Sequence, residues 1–263
     1  MDVIYGLEHL DHSAEPVFVV VGVFDGLHLG HAYLLHHLVA EAGRRRARPV
    51  VITFDHHPDE VLVGNAPPLL CDPGERLARL AAAGVDTTIV VHFDQRLRET
   101  TYDAFVAMIA VRAPLAGFLM TPDAAFGYQR AGTPEALASL GAARGFDVVV
   151  VPPFDMDGRA VRSTEVRAEI AAGDLDGAAR LLGRPHTVVG DAVPAGQGSV
   201  LGFPLPVALP PDGTYRVRVD DATRPTADQP AAGDTLVVVA NGAVSLPEVP
   251  RRGPVRVAFL SRA

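Results

Sequence analysis

The sequence predicts an α/β protein with a parallel sheet and helices on both faces, followed by a small all-β, barrel-like domain. Three observations predict it. Strand and helix patterns alternate from about residue 17 to residue 182, the signature of parallel-sheet units. The strongest strand signals are unbroken apolar runs, which mark burial on both faces. Near Pro185 the helical period stops, and short β-rich pieces follow, separated by Pro and Gly. The expected division is therefore residues 1–185 and residues 186–263.

Each element has its own reason. Val17–Val21 is a run of five apolar β-formers that meets Gly22, and a helical pattern from Leu29 to Arg45 follows. Pro49–Phe54 is a second buried strand. Asp72-Pro73-Gly74-Glu75 starts a helix with Asp as cap, Pro first and Glu three after the cap; that helix ends near Gly84. Val85–Phe93 is the third strand. Thr101 caps a helix to about Ala110, and Gly117–Met120 is the fourth strand. Thr133-Pro134-Glu135 opens a helix that stops at Gly145, and Asp147–Val151 is the fifth strand. Ser163 caps Thr164–Ala171, and a short helix follows at Leu175–Leu182. Thr187–Val193, Tyr215–Val219, Leu236–Ala240 and Val255–Phe259 are the strands of the last domain.

Composition limits the chemistry. All 23 basic residues are Arg, which excludes a Schiff-base lysine, a lysyl-adenylate and a P-loop lysine. A net charge of -8 argues against a nucleic-acid partner. The one cysteine, Cys71, permits no internal disulfide and fits a reducing compartment. The N-terminus has no basic n-region and its apolar run is too short to span a bilayer, so the expectation is a cytoplasmic protein with no membrane partner. The oligomeric state is left open.

The chemistry concentrates where the first strand turns into the first helix. Gly22-Val23-Phe24-Asp25-Gly26-Leu27-His28-Leu29-Gly30-His31 places glycines, two histidines and a helix N-terminus beyond the carboxyl end of a buried strand. Ligands of open α/β sheets sit there, and free amides with a positive dipole end suit phosphates. Two imidazoles three residues apart add donors on one helix face. The bland alternative is a pair of histidines at the start of a core helix.

The extended form G-x-F-D-G-x-H-x-G-H after a strand resembles the nucleotidylyltransferase superfamily. The following motifs sharpen the resemblance to the prokaryotic bifunctional riboflavin kinase/FMN adenylyltransferase family. Thr53-Phe54-Asp55-His56-His57-Pro58 stands where that family has T-F-x-P-H-P. Asp123-Ala124-Ala125-Phe126-Gly127 stands for D/N-F-x-F-G, and Arg162-Ser163-Thr164-Glu165-Val166-Arg167 for S-S-T-x-I-R. The runs Arg76–Asp86 and Leu181–Pro185 also match in type. The resemblance covers about residues 15–190 well and the rest weakly.

The resemblance implies a Rossmann-like nucleotidylyltransferase domain joining ATP and FMN into FAD and pyrophosphate with Mg²⁺. It implies His28, His31, Ser163 and Arg167 as the catalytic set. It implies Gly22, Val23, Phe24, Asp25, Gly26, Gly30, Thr53, Phe54, His57, Pro58, Asp123, Phe126 and Thr164 as ATP- or flavin-binding. Phe54 and Phe126 can also be read as core, and Ser163 as a plain helix cap. Asp55, His56, His57 and Asp59 have ligand-type side chains, but with no further ligand at a telling spacing the sequence assigns no metal residues. His36 and His37 read as surface.

The departures bear on the acceptor. His56 replaces a proline, Arg162 a serine, Ala124 a phenylalanine, and Thr121-Pro122 a Gly-rich approach. They leave open an acceptor other than FMN, or a nucleotide-binding protein without turnover. In the last domain Gly202-Phe203-Pro204-Leu205-Pro206-Val207 stands where the family's kinase half has G-F-P-T-A-N. Leu and Val cannot hold Mg²⁺ or a phosphate through the side chain, so riboflavin kinase activity is expected to be absent.

Overall fold

The structure, a computed structural model, describes residues 1–223, 233–246 and 252–263. The chain forms two compact units. The first comprises Met1–Phe24, Gly30–Pro67 and Pro73–Ala160, and the second Asp25–Leu29, Pro68–Asp72 and Val161–Ala263.

The first unit is built on six parallel strands. They are β1 (Asp2–Tyr5), β2 (Val17–Val21), β3 (Arg48–Phe54), β4 (Thr87–Val91), β5 (Leu115–Met120) and β6 (Asp147–Val150), in the spatial order β1-β4-β3-β2-β5-β6. The helices are α1 (Leu29–Arg44), α2 (Pro58–Val63), α3 (Pro73–Ala82), α4 (Gln95–Arg98), α5 (Tyr102–Ala110) and α6 (Pro134–Arg144), and the hairpin β7 (Asp155–Met156) and β8 (Arg159–Ala160) ends the unit. Every residue of β4 and the first four of β2 are buried, so both faces of the sheet are covered. On one face Val17, Val19, Ile52, Phe105, Ile109 and Phe118 pack into the main core.

Local chemistry explains the helix ends. Thr133 Oγ1 accepts the Ala136 amide at 3.3 Å, Pro134 takes the first helical position, and Gly145 closes α6 in the left-handed conformation at φ 80°. His57 caps α2 through Nδ1, which accepts the Asp59 amide at 3.2 Å. The chain moves outward from β2 through β3 to β4, then crosses back to place β5 on the other side of β2. The strand order therefore reverses between β2 and β5, which fixes the crevice beyond their carboxyl ends as the ligand side.

The second unit holds α7 (Ser163–Ala172), α8 (Leu175–Leu182) and six antiparallel strands: β9 (Thr187–Ala195), β10 (Gly198–Gly202), β11 (Gly213–Asp221), β12 (Asp234–Ala240), β13 (Ala243–Leu246) and β14 (Gly253–Arg262). They close in the order β10-β13-β12-β11-β14-β9. Alternate residues point inward, as barrel closure requires, and Tyr215, Val217, Val237, Val257 and Phe259 fill the interior. Closure removes the exposed strand edges.

The predicted strands and main helices match these elements to within a few residues. The serine expected to cap α7 is instead its first helical residue, with Arg162 at the cap and no side-chain cap bond. Ser163 Oγ donates to the Asp25 carbonyl at 3.1 Å, so its hydroxyl ties a loop. The sequence reading did not place β1, α2, α4, the β7–β8 hairpin, β10 or β13. These are short pieces of two to six residues, and each lacks the length over which a period can be read.

Candidate active site

In the first unit, β2 ends at Gly22, whose amide donates to the Ile52 carbonyl at 3.0 Å. The turn that follows is conformationally costly. Phe24 (φ 54°), Gly26 (φ 79°) and Leu27 (φ 39°) all take left-handed backbone, which only glycine adopts at little expense. Strain of this kind persists where surrounding contacts fix it, and it clusters at functional turns. Here Thr53 Oγ1 donates to the Val23 carbonyl at 3.0 Å, and the buried Arg76 donates to Val23 at 3.1 Å and to the Phe54 carbonyl at 2.8 Å. Phe24 is buried against the His31 ring, with centroids 5.1 Å apart.

A cavity of about 680 Å³ opens at this end of the sheet, within the usual range for small-molecule sites. Gly22 and Val23 form one side. Phe54, Phe93, Phe105, Phe118, Met120 and Phe126 form an apolar interior, and His57, Arg98, Tyr128 and Arg130 bring polar groups. Phe54 packs edge-on to Phe93 at 5.3 Å, and Phe126 lies 5.3 Å from Phe105 and 5.6 Å from Phe118. Phe54 and Phe126 are therefore core residues and cavity walls at once. His57 and Pro58 reach the cavity from the start of α2, and Ala124 stands on its wall. Asp123 lies exposed on the turn after β5, where its carboxylate accepts from Thr121 at 2.8 Å.

In the second unit, Asp25 is buried and its charge is fully engaged. It accepts the backbone amides of Leu70 at 3.0 Å and Cys71 at 3.2 Å, and Arg167 Nη2 at 2.5 Å. A buried carboxylate without such partners would be prohibitively costly. Arg167 Nε also donates to the Pro68 carbonyl at 2.8 Å, so two contacts fix the guanidinium plane on the first turns of α7. Thr164 is exposed beside it. Arg184 donates to the carbonyls of Gly26 at 2.5 Å and Leu27 at 3.2 Å. His28 is buried, and burial first, then Arg184 and Arg167, lower its pKa to about 4. The imidazole is therefore neutral at pH 7 and acts as a hydrogen-bonding group, not a cation.

Gly22, Val23, Phe54, His57, Pro58 and Phe126 meet at the aromatic cavity. Asp25, Gly26, His28, Ser163 and Arg167 meet in the second unit. Thr53 spends its hydroxyl on the turn, and Gly30 lies in the first turn of α1. The sequence reading gave no role to Arg76 or Arg184, although both lie in the two runs that match in type. Arg76 shares α3 with Arg79, and Arg184 lies just past the end of α8, so no local signal set either apart; the carbonyls they meet come from distant segments of the chain.

A doubly covered parallel sheet with a glycine turn and an aromatic cavity beyond the carboxyl ends of its strands makes the first unit an α/β ligand-binding domain, and its likeness to known proteins makes it a nucleotidyltransferase. Residues 10–165 match the FAD synthetase family. The bifunctional riboflavin kinase/FMN adenylyltransferase of Haemophilus influenzae is 32% identical over 228 residues, 83% of this chain and 74% of that protein. The Escherichia coli K12 protein of the same name is 34% identical over 230 residues, 83% of this chain and 73% of its own. The crystal structure of a macrolide-efflux protein from Streptococcus pneumoniae superposes with a TM-score of 0.83 at 23% identity, covering 100% of this chain and 91% of that one, a likeness of fold alone. The chain belongs to the FAD synthetase family.

Proposed function

We propose that this FMN adenylyltransferase uses the aromatic cavity for the flavin and the groups around His28 and Arg167 for the phosphates of ATP, and that it has no riboflavin kinase activity. The chain is a nucleotidyltransferase that makes FAD from ATP and FMN. The observation that carries the division of the site is the cavity itself. A flat, apolar isoalloxazine needs stacking surface, and Phe54, Phe93 and Phe126 supply it within one unit.

An oxygen of the FMN phosphate attacks the α-phosphorus of ATP. A new P–O bond forms, the bond from that phosphorus to the bridging oxygen breaks, and its electron pair leaves on pyrophosphate. No covalent enzyme intermediate is needed, so the absence of lysine is no obstacle. The work is positioning and charge stabilisation. Neutral His28 donates an N–H to the triphosphate, as does His31. Arg167, its plane fixed by Asp25 and Pro68, meets the departing pyrophosphate with the amides of Ser163 and Thr164. Gly22, Phe24, Gly26 and Gly30 shape the backbone that approaches ATP, and Asp123 orients the ribose. Mg²⁺ enters with ATP: the carboxylate nearest Arg167, Asp25, is already taken by three donors, so a protein cage is not what this donor set provides. The enzyme works in the cytoplasm, where ATP is made and spent.

The reading of residues 186–263 as a degenerate kinase domain rests on Gly202–Val207. This segment is bridged to Leu69, whose N–H donates to the Pro206 carbonyl and whose carbonyl accepts from the Ala208 amide, both at 2.8 Å. Leu205 and Val207 line a cavity of about 860 Å³ whose charged side chains, among the described residues, are Arg167 and Asp212. An endpoint assay with Mg²⁺ and ATP, offering FMN in one tube and riboflavin in the other, tests both parts. FAD from FMN and no product from riboflavin is expected. FMN formed from riboflavin overturns the kinase claim, and FMN bound without turnover overturns the assigned roles.

A further inference from the structure

His56, which stands where the family has proline, meets a second histidine on the neighbouring strand. β3 and β4 pair in parallel with Phe54 opposite Val91, so the residues just past each end, Asp55 and His92, arrive side by side. Asp55 Oδ2 lies 2.6 Å from His92 Nδ1, and Oδ1 lies 3.2 Å from His56 Nδ1. One donor atom from each of the three residues lies within 4.8 Å of the other two. The rings stand 5.9 Å apart and nearly perpendicular, at 82°. Two backbone amides, His56 at 2.8 Å and Phe93 at 3.2 Å, pin the carboxylate before anything binds.

We propose that Asp55, His56 and His92 form a binding site for a divalent transition-metal ion of the zinc type. Donors around a tetrahedral zinc stand on the order of 3.4 Å apart for bonds near 2.1 Å, so the observed spacing needs only small side-chain adjustment. Two imidazoles and one carboxylate form a set that zinc, nickel and copper take readily and that Mg²⁺, an oxygen-seeking ion, does not. The site is thus chemically separate from the Mg²⁺ that accompanies ATP. Its half-exposed position leaves room for water or a further ligand to complete the shell. A simple Asp55–His92 ion pair would not bring the His56 ring to the same carboxylate. The three residues also border the aromatic cavity, since Phe54, His57 and Phe93 are their chain neighbours and line it.

The test uses the full chain, tag removed and stripped with a chelator. Zn²⁺ is titrated against a chromophoric competitor, and Co²⁺ provides a visible spectrum that reports coordination. One equivalent is expected to bind. Affinity should fall about tenfold or more in His56→Ala and separately in His92→Ala, and stay unchanged in a His36→Ala/His37→Ala control. His92→Ala should retain FMN adenylyltransferase activity with Mg²⁺ and ATP, which shows that it folds. Absence of one-equivalent binding, equal loss in the control, or loss in His92→Ala without loss in His56→Ala overturns the site.

Discussion

At the scale of the residue, His28 shows how environment sets a role. Its pKa of about 4 follows from burial and from two flanking arginines. A histidine so placed stays neutral through the working pH range and offers a fixed N–H, while the arginines carry the positive charge. Removing one preorganised donor from an oxyanion hole lowers turnover by about 100- to 1,000-fold, and the same scale is expected for a donor to a reacting phosphate. His28→Ala should therefore reduce kcat by about that factor while the FMN dissociation constant, read by flavin fluorescence, stays within about twofold. His28 is not among the residues that line the aromatic cavity of the first unit. An equal loss of FMN affinity would show that the division between phosphate and flavin groups is wrong.

At the scale of the element, the decisive piece is the turn between β2 and α1. Gly26 combines a φ of 79° with close quarters: an added Cβ would stand 2.9 Å from Leu70 Cβ and 3.0 Å from its Cδ1. Leu70 is itself held by Asp25, so it has little freedom to retreat. Gly26→Ala is expected to cost about 1–3 kcal/mol in urea unfolding from backbone strain alone, with a larger proportional loss of adenylyl transfer, because the carbonyls of Gly26 and Leu27 that Arg184 holds would shift. A variant with wild-type stability and activity would mean that the turn is tolerant. This turn was legible in the sequence because five apolar residues, a glycine and a helix start are all local signals. The partners that hold it were not legible. Arg167 meets Asp25 across 142 positions and Arg184 meets Gly26 across 158, and no local period encodes such pairs. The cavity was half legible: Phe54 and Phe126 stand in motifs, whereas Phe93, Phe105 and Phe118 look like any strand or helix core until the topology brings them together.

At the scale of the whole molecule, two buried histidines make stability depend on pH. His186 is completely buried, its Nε2–H donates to the Ala208 carbonyl at 2.7 Å, and its ring stacks on Phe259 at 13°. Desolvation, the largest cause, lowers its pKa to about 4, as for His28. Both folded values lie below the ordinary 6.5, so between pH 6.5 and 4 the unfolded chain binds more protons than the native one. Their contribution is fully present above pH 6.5, declines as pH falls through this window, and reaches its floor near pH 4. At about 1.4 kcal/mol per unit, each accounts for about 3 kcal/mol at the acid end, a large share of a typical domain's stability. His92, raised by its hydrogen bond to Asp55, runs the opposite way, but it is exposed and screened by solvent. Both buried histidines belong to the second unit. On stepping from pH 7 to pH 4.5, the protection factors of amides in β11 and β14, taken relative to the intrinsic exchange rate at each pH, should therefore fall before those in β2 and β3. His186→Phe keeps the ring stacked on Phe259 and removes one titrating group. It should unfold more readily at pH 7, by about 1–3 kcal/mol for the orphaned Ala208 carbonyl, yet lose only about half as much stability as the wild type between pH 6.5 and 4.5. An unchanged slope in that variant would assign the acid sensitivity to the carboxylates instead.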